Sequence, residues 1–412
     1  MHIFPQGLRG RPAVVPRVVL PVVLLAVCTV VLPLSPAAAG SGPSSADPAP
    51  RAGLRTSAGG GSVASLPLGG PHRSAAGRAL APRTTARFEL IGVTWDGPAD
   101  ALADGTVRVR TRDAATGAWR DWQRLDADGE DGPDTPAAAG ARRAGTAPLW
   151  TGPSDGVAVE VTAGPAGPPR GLRVELVDPG RGAESPAART RPAEPAGGGR
   201  RSGQQAPRPE IVTRAGWGAD ESIRESDFVY TGQVRAVFVH HTATATAYEC
   251  ADAPRVIRAI YQYHVQSNGW RDIGYNFLVD RCGTVYEGRA GGTDLPVHGA
   301  HTLGFNTNTA GVAAIGTYVK DVPPPELLTG LARISAWKLG LTGRDADGRV
   351  DLVSGSSASR YPAGTTVSFD AVSGHRDGFN TECPGAALYP ELPGIRTEAA
   401  RLQGRADTVA TP

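Results

Sequence analysis

Two stretches without hydrophobic periodicity constrain this chain before any other feature does. Residues 40–85 and 181–208 consist largely of Ala, Gly, Pro, Ser and Arg, with no recurring apolar position. Such segments bury too little apolar surface to offset the entropy lost on ordering. Both therefore read as linkers, the first of them disordered. Between and after them lie two folding units, 86–180 and 209–403, followed by a short tail, 404–412.

The first residues read as an address. Arg9, Arg11 and Arg17 precede an apolar run from Val18 to Leu34, and small residues follow as far as Gly40. A basic start, an apolar middle and an Ala-x-Ala end predict a signal peptide over 1–39, removed after Ala39. The run carries Pro21 and falls short of the ~20 apolar residues of a spanning helix, so no stable membrane insertion is expected after cleavage. An exported, extracellular protein follows. The net charge is +2 and Lys and Arg are dispersed, which argues against a nucleic-acid partner.

Within 86–180, Phe88–Val93, Val107–Arg110, Val157–Val161 and Leu172–Leu176 alternate apolar with polar or small residues, punctuated by Gly, Pro and Asp. This pattern predicts a small all-β, sandwich-like domain. Trp95, Trp119, Trp122 and Trp150 fall here, and core packing is their commoner fate, with a sugar-stacking platform as the alternative. In 209–403 the periods mix. Val234–Val239 and Gly311–Tyr318 suit buried strands, and Tyr275–Val279 with Thr284–Glu287 suit a hairpin through Asp280–Gly283. Helices are expected from Asp252, through Leu327–Trp337, and from about Ala386. The result is an α/β domain with a mixed sheet flanked by helices.

Six of the eight histidines lie between 240 and 375. His240 and His241 end a predicted strand, so only one of them can face a given site. His375 and Cys383 are eight residues apart in Gly374-His-Arg-Asp-Gly-Phe-Asn-Thr-Glu-Cys383-Pro, with Gly and Asn between them to let the loop fold back. Two imidazoles and a thiolate would leave a fourth position open, as a catalytic zinc site requires. Each also has a structural reading, as a satisfied polar group or an inert core thiol. Past the leader, Cys250, Cys282 and Cys383 are an odd set, so one thiol is free, intermolecular or on a metal. Asp345-Ala-Asp-Gly348 imitates the start of a calcium loop but lacks its later ligands, and reads as a turn in an insertion spanning Arg344–Val367.

Five segments occur in order: Phe238-Val-His-His-Thr242, Gly269-Trp-Arg-Asp-Ile-Gly-Tyr275-Asn-Phe, Tyr286-Glu-Gly-Arg289, Gly299-Ala-His-Thr-Leu-Gly-Phe-Asn306 and Gly374-His-Arg…Thr381-Glu-Cys383-Pro-Gly. Together they resemble the peptidoglycan recognition proteins and the related phage-lysozyme-type N-acetylmuramoyl-L-alanine amidases, over residues 209–402. The resemblance implies one Zn²⁺ held by His240, His375 and Cys383, with His241 facing away. It implies that Tyr275 hydrogen-bonds the attacking water or the oxyanion, and that Thr381 sits across the metal. It implies that Trp270, Arg289, His301 and Asn306 line a groove for the muramyl peptide. Where an aromatic often follows Arg289 in the family, this chain reads Ala-Gly-Gly-Thr-Asp. With Cys383 assigned to zinc, Cys250 and Cys282 remain as a disulfide pair, in keeping with export.

The activity implied is hydrolysis of the amide between N-acetylmuramic acid and L-alanine of peptidoglycan, by a secreted, wall-associated enzyme. The alternative is a non-catalytic peptidoglycan-binding module. Loss of the Cys ligand typically accompanies loss of catalysis in that family, and Cys383 is present. An unrelated metalloprotease is disfavoured because no His-Glu-x-x-His is found.

Overall fold

The computed structural model describes residues 53–57, 60–69, 77–102, 104–127, 143–182 and 205–405. The signal peptide and most of the 181–208 linker and the tail lie outside these. Among the described residues no helix is long and apolar enough to cross a membrane.

The N-terminal unit contains β1 (Gly53–Thr56), β2 (Ser62–Pro67), β3 (Gly77–Trp95), β4 (Thr106–Asp113), β5 (Gln123–Leu125), β6 (Ala144–Gly145), β7 (Leu149–Thr162) and β8 (Arg173–Asp178). They pair in the order β1-β2-β8-β3-β7-β4-β5, with β6 also on β3, as one hydrogen-bonded sheet. Register shifts along β3, between Leu80 and Leu90, mark where its pairing with β7 is interrupted by bulges. Alternation puts Ile91, Val93, Val107, Val109, Val157, Val159, Val174 and Leu176 into one buried cluster.

Part of the linker expectation fails here. Residues 53–56, 62–67 and 77–85 of the stretch read as disordered form strands, β2 pairing with β8 from Ser62↔Asp178 to Pro67↔Arg173. The partner strand supplies the order that local composition does not. At the other linker, Ala206 is buried in the core of the second unit.

The second unit runs β9 (Ile211–Val212), α1 (Arg214–Trp217), β10 (Ala236–His241), α2 (Ala253–Gln262), β11 (Phe277–Val279), β12 (Val285–Glu287), β13 (Thr309–Ala314), α3 (Pro325–Gly340), β14 (Arg349–Val353), β15 (Thr366–Asp370), β16 (Val372–Gly374), α4 (His375–Gly378) and α5 (Leu392–Leu402). Its six-stranded mixed sheet has the order β16-β10-β13-β11-β12-β9. Strands β16, β10, β13 and β11 are mutually parallel, so their carboxyl ends lie at one edge of the sheet. The third helix starts at Leu392 rather than near Ala386, after a short 3-10 turn at Tyr389–Glu391.

Strand alternation assigns the two faces. Val237 and Val239 pack with Leu331, Ile334, Ile395 and Ala399 of α3 and α5. Leu278, Ala313 and Ile315 pack with Val256, Ile257 and Ile260 of α2. Phe238 packs with Val350, Leu352 and Phe369 of the β14–β15 pair, so the expected insertion is an antiparallel ribbon covering the sheet. The calcium-like tetrad is a turn: Asp345 accepts from the Asp347 and Gly348 amides, and Arg405 and Arg396 pair with its carboxylates.

Helix α2 is buried on several sides, including Arg258 and Gln262. Its outer face packs on the N-terminal sheet, where Val63, Leu90 and Val177 join its apolar cluster. At this contact Tyr263 donates to the Thr146 carbonyl (2.9 Å), Arg255 pairs with Glu89, and the Arg143 amide donates to the Asn268 carbonyl (3.0 Å). Gly92 is required there: a Cβ would lie 2.4 Å from the Tyr263 ring. The two units share an apolar, hydrogen-bonded interface.

Candidate metal centre and its surroundings

His240 is the last residue but one of β10 and points to the same face as Phe238, whereas His241 takes the opposite face. His375 opens α4 directly after β16, which pairs with β10. The loop then returns Cys383 to the end of β10, where the His241 amide donates to its Sγ (3.3 Å). Ligand atoms of His240, His375 and Cys383 lie within 4.8 Å of one another, all three residues buried. The His240 Nδ1 to Cys383 Sγ distance is 3.8 Å. Two ligands on one tetrahedral zinc, at about 2.0 and 2.3 Å from it, stand at roughly this spacing. Burial, with His375 and His301 adding, holds the His240 imidazole well below its ordinary pKa. It is therefore neutral, the form a metal accepts. Donor set and spacing fit zinc. His241 is turned away, its Nδ1 accepting from the Tyr318 amide (3.2 Å).

Tyr275 lies against the trio, its ring 5.5 Å from that of His240. The Thr381 hydroxyl accepts from the Cys383 amide (3.0 Å), so it caps the turn that presents the thiol.

The four expected substrate contacts fare differently. His301 is fully buried, and its Nδ1 lies 3.3 Å from His240 Nε2, on the side of that ring away from Cys383. It stands directly behind the His240 ring. Asn306 is also fully buried, and its Oδ1 accepts from the His301 and Thr302 amides. It folds the loop that carries His301. Arg289 donates to the carbonyls of Ile273 (2.9 Å) and His298 (3.1 Å), tying down the segment that leads into Tyr275. Trp270 stacks on His264 at 4.4 Å and is only 8% exposed.

Sequence reasoning missed two residues of this surround. Thr302 places its hydroxyl 3.0 Å from His301 Nδ1 and 3.4 Å from His240 Nε2. Its place beside His301 in the fourth motif was the available signal. His264 accepts the Gly274 amide on Nδ1 (3.2 Å), lies against the Trp270 ring at 4.4 Å and meets Tyr275 edge-on at 5.8 Å. Space for His301 comes from Gly311, where a Cβ would lie 2.4 Å from the imidazole. The disulfide joins Cys250, before α2, to Cys282, in the β11–β12 turn, and Cys383 lies outside that bridge, its Sγ against His240 and the His241 amide.

In the N-terminal unit Trp95 and Trp150 are core. Trp119 and Trp122 are not, but Arg110 lies over both rings at 5.1 Å and Arg108 over Trp122 at 5.6 Å. The guanidinium groups occupy faces that a sugar would need.

An α/β domain with two histidines and a cysteine gathered at the carboxyl ends of its parallel strands defines the class: a metal-competent site in a mixed-sheet fold. Comparison with known proteins supplies the family. Residues 230–386 match the family model described as N-acetylmuramoyl-L-alanine amidase, and residues 43–196 match one described as Rv3811 N-terminal galactose-binding domain-like. Peptidoglycan-recognition protein SC2 of Drosophila melanogaster is 32% identical over 182 residues, 44% of this chain and 84% of that protein. Recognition protein LE of the same fly is 38% identical over 118 residues, 29% of this chain but 33% of that relative's length. The human N-acetylmuramoyl-L-alanine amidase is 33% identical over 187 residues, 45% of this chain and 28% of that protein. Through its C-terminal domain the chain belongs to the peptidoglycan-recognition protein and N-acetylmuramoyl-L-alanine amidase family.

Proposed function

We propose that this protein is an exported, zinc-dependent N-acetylmuramoyl-L-alanine amidase that hydrolyses the amide joining N-acetylmuramic acid to L-alanine in peptidoglycan. The observation that carries this reading is the convergence of His240, His375 and Cys383, with Tyr275 beside them. A domain that only recognised the polymer would have no need of three buried metal-ligand side chains. A zinc ion held by them would act as a Lewis acid and provide hydroxide near neutral pH. Tyr275 then serves as the donor to the oxygen that becomes negative as the amide carbon turns tetrahedral. Thr381 holds the thiol-bearing turn and presents a neutral hydroxyl at the same site. His301 and Thr302 fix the His240 ring through its outer nitrogen, as carboxylates or carbonyls do behind other metal-bound histidines. Export is supported by the basic-apolar-Ala start of the chain and by the Cys250–Cys282 bridge. Residues 53–182 and 205–405 are the two domains of this reading, the first longer than its strand periodicity suggests.

Purified sacculi test it. The native protein should release alanine amino groups from the wall, lose that activity with a chelator and regain it with zinc. Cys383→Ala should retain wall binding and lose both zinc and hydrolysis. Binding without release by the zinc-loaded native protein would make it a recognition module instead.

A further inference from the structure

We propose that the docked N-terminal domain completes a second binding groove beside the metal centre, and that this groove takes the glycan strand of the polymer. The inference rests on the amidase reading and extends it to the sugars flanking the cleaved amide. A cavity of about 330 Å³ lies between the two domains. One wall is Gln123–Asp126 with Ala147 and Leu149, the other Ala243–Ala247 with Thr317. That volume is in the range of small-ligand sites, which favour domain interfaces.

Its position carries the argument. The second wall is the segment that leaves β10 immediately after His240 and His241, joined by the residue that follows β13 and Gly316. Both leave the carboxyl ends of parallel strands, the edge where ligands of such sheets bind. Ala243 is three residues from His240, so its Cα lies within about 11 Å of that ligand's. Whatever is attached to the acyl side of a scissile amide at the metal has to leave across this edge or one adjoining it.

The wall is also built rather than incidental. Ala243 has φ 52, a left-handed conformation that a non-glycine residue adopts only where its surroundings impose it. The segment is held by hydrogen bonds from Thr317 Oγ1 to the Thr244 carbonyl (2.6 Å) and from the Gly316 amide to Thr242 Oγ1 (3.0 Å). Its lining mixes three threonines and Gln123 with four alanines and two leucines, and Arg124 and Asp126 offset one another in charge. An uncharged polar strand with apolar sugar faces suits that surface better than an anion or a lipid tail does.

Two measurements test the groove. Ala247, exposed on the rim, is replaced by Trp to fill the cavity, and Gln123 by Ala to remove a donor. Both changes should raise KM on polymeric peptidoglycan about tenfold and leave kcat/KM on a single muramyl peptide unaltered, the loss of about one well-made contact. Equal effects on both substrates, or none on either, would overturn the proposal. Independently of catalysis, peptide-free glycan strands should bind the Cys383→Ala protein and bind it about tenfold more weakly once Ala247→Trp is added. Groove-dependent binding without hydrolysis by the native protein would sink the amidase reading and keep the groove. Hydrolysis with no groove-dependent glycan binding would do the reverse.

Discussion

At the residue scale the site is a set of neighbours that hold one another's orientation. His240 offers Nδ1 towards Cys383 and is held from behind by His301 and Thr302. Removing such an outer partner typically costs 10- to 100-fold in metal affinity. Thr302→Val should therefore weaken zinc about tenfold in competition with a chromophoric chelator while the fold stays intact; unchanged affinity would mean that the hydroxyl only fills space. His264 gives a different test. Burial, helped by Arg289, lowers its pKa from 6.5 to about 3. As pH falls, the unfolded chain takes up this proton first, so the contribution of His264 is complete above about 6.5 and drains away below it, at up to about 1.4 kcal/mol per pH unit. His264→Gln should flatten the fall in Tm between pH 6.5 and 4.5 relative to the native protein, and an identical slope would show that the imidazole charges in the fold. The trio His240, His375 and Cys383 was implied by the resemblance that the five ordered motifs carry, and the structure brings these three side chains within 4.8 Å of one another. Burial was not legible in the motifs. His301 and Asn306 stand in a family motif as plainly as Tyr275 does, and only the structure shows that both are fully buried, His301 against Gly311 and behind the His240 ring.

Elements were legible where their own sequence carries the period. Helix α2 shows Val256, Ile257, Ile260 and Tyr261 at helical spacing with Pro254 in its first turn, where the missing amide is no loss. The β11–β12 hairpin was announced by Asp280-Arg-Cys-Gly283, and Asp280 does accept from the Cys282 and Thr284 amides. Strands β1 and β2 were not legible. Val63 and Leu66 are too few to mark a strand, and the order comes from β8 and from α2. The β14–β15 ribbon escaped for the same reason, since its purpose is to cover Phe238. The disulfide belongs to this scale as well. It closes a 32-residue separation between the approach to α2 and that hairpin turn. Loop-closure entropy puts its contribution at roughly 3–4 kcal/mol. Cys250→Ser with Cys282→Ser should lower the denaturant midpoint accordingly and leave one zinc bound per chain; loss of the metal would place the bridge in support of the site itself.

For the whole molecule, the question is whether the N-terminal domain is a passenger or a part. A tether would touch its neighbour through a few exposed polar groups, and domains so joined move independently. Here Val63, Leu90 and Val177 share a buried cluster with α2, and Tyr263 passes its hydroxyl to the Thr146 carbonyl across the boundary. The other side of the same helix faces Leu278 and Ala313 in the sheet whose strand β10 carries His240. Helix α2 is thus common to both cores, and the two domains should unfold as one cooperative unit. Gly92→Val tests this with little change elsewhere, because its side chain meets the Tyr263 ring and overpacking of this kind costs about 1–3 kcal/mol. Calorimetry of the native chain should show a single transition. The variant should show a lower, split one, with zinc content retained and activity on polymeric substrate reduced more than on a soluble muramyl peptide. Two transitions in the native chain, or a variant that melts with it, would mean that the domains are joined only by their linker and that the groove between them is not a fixed feature of the protein.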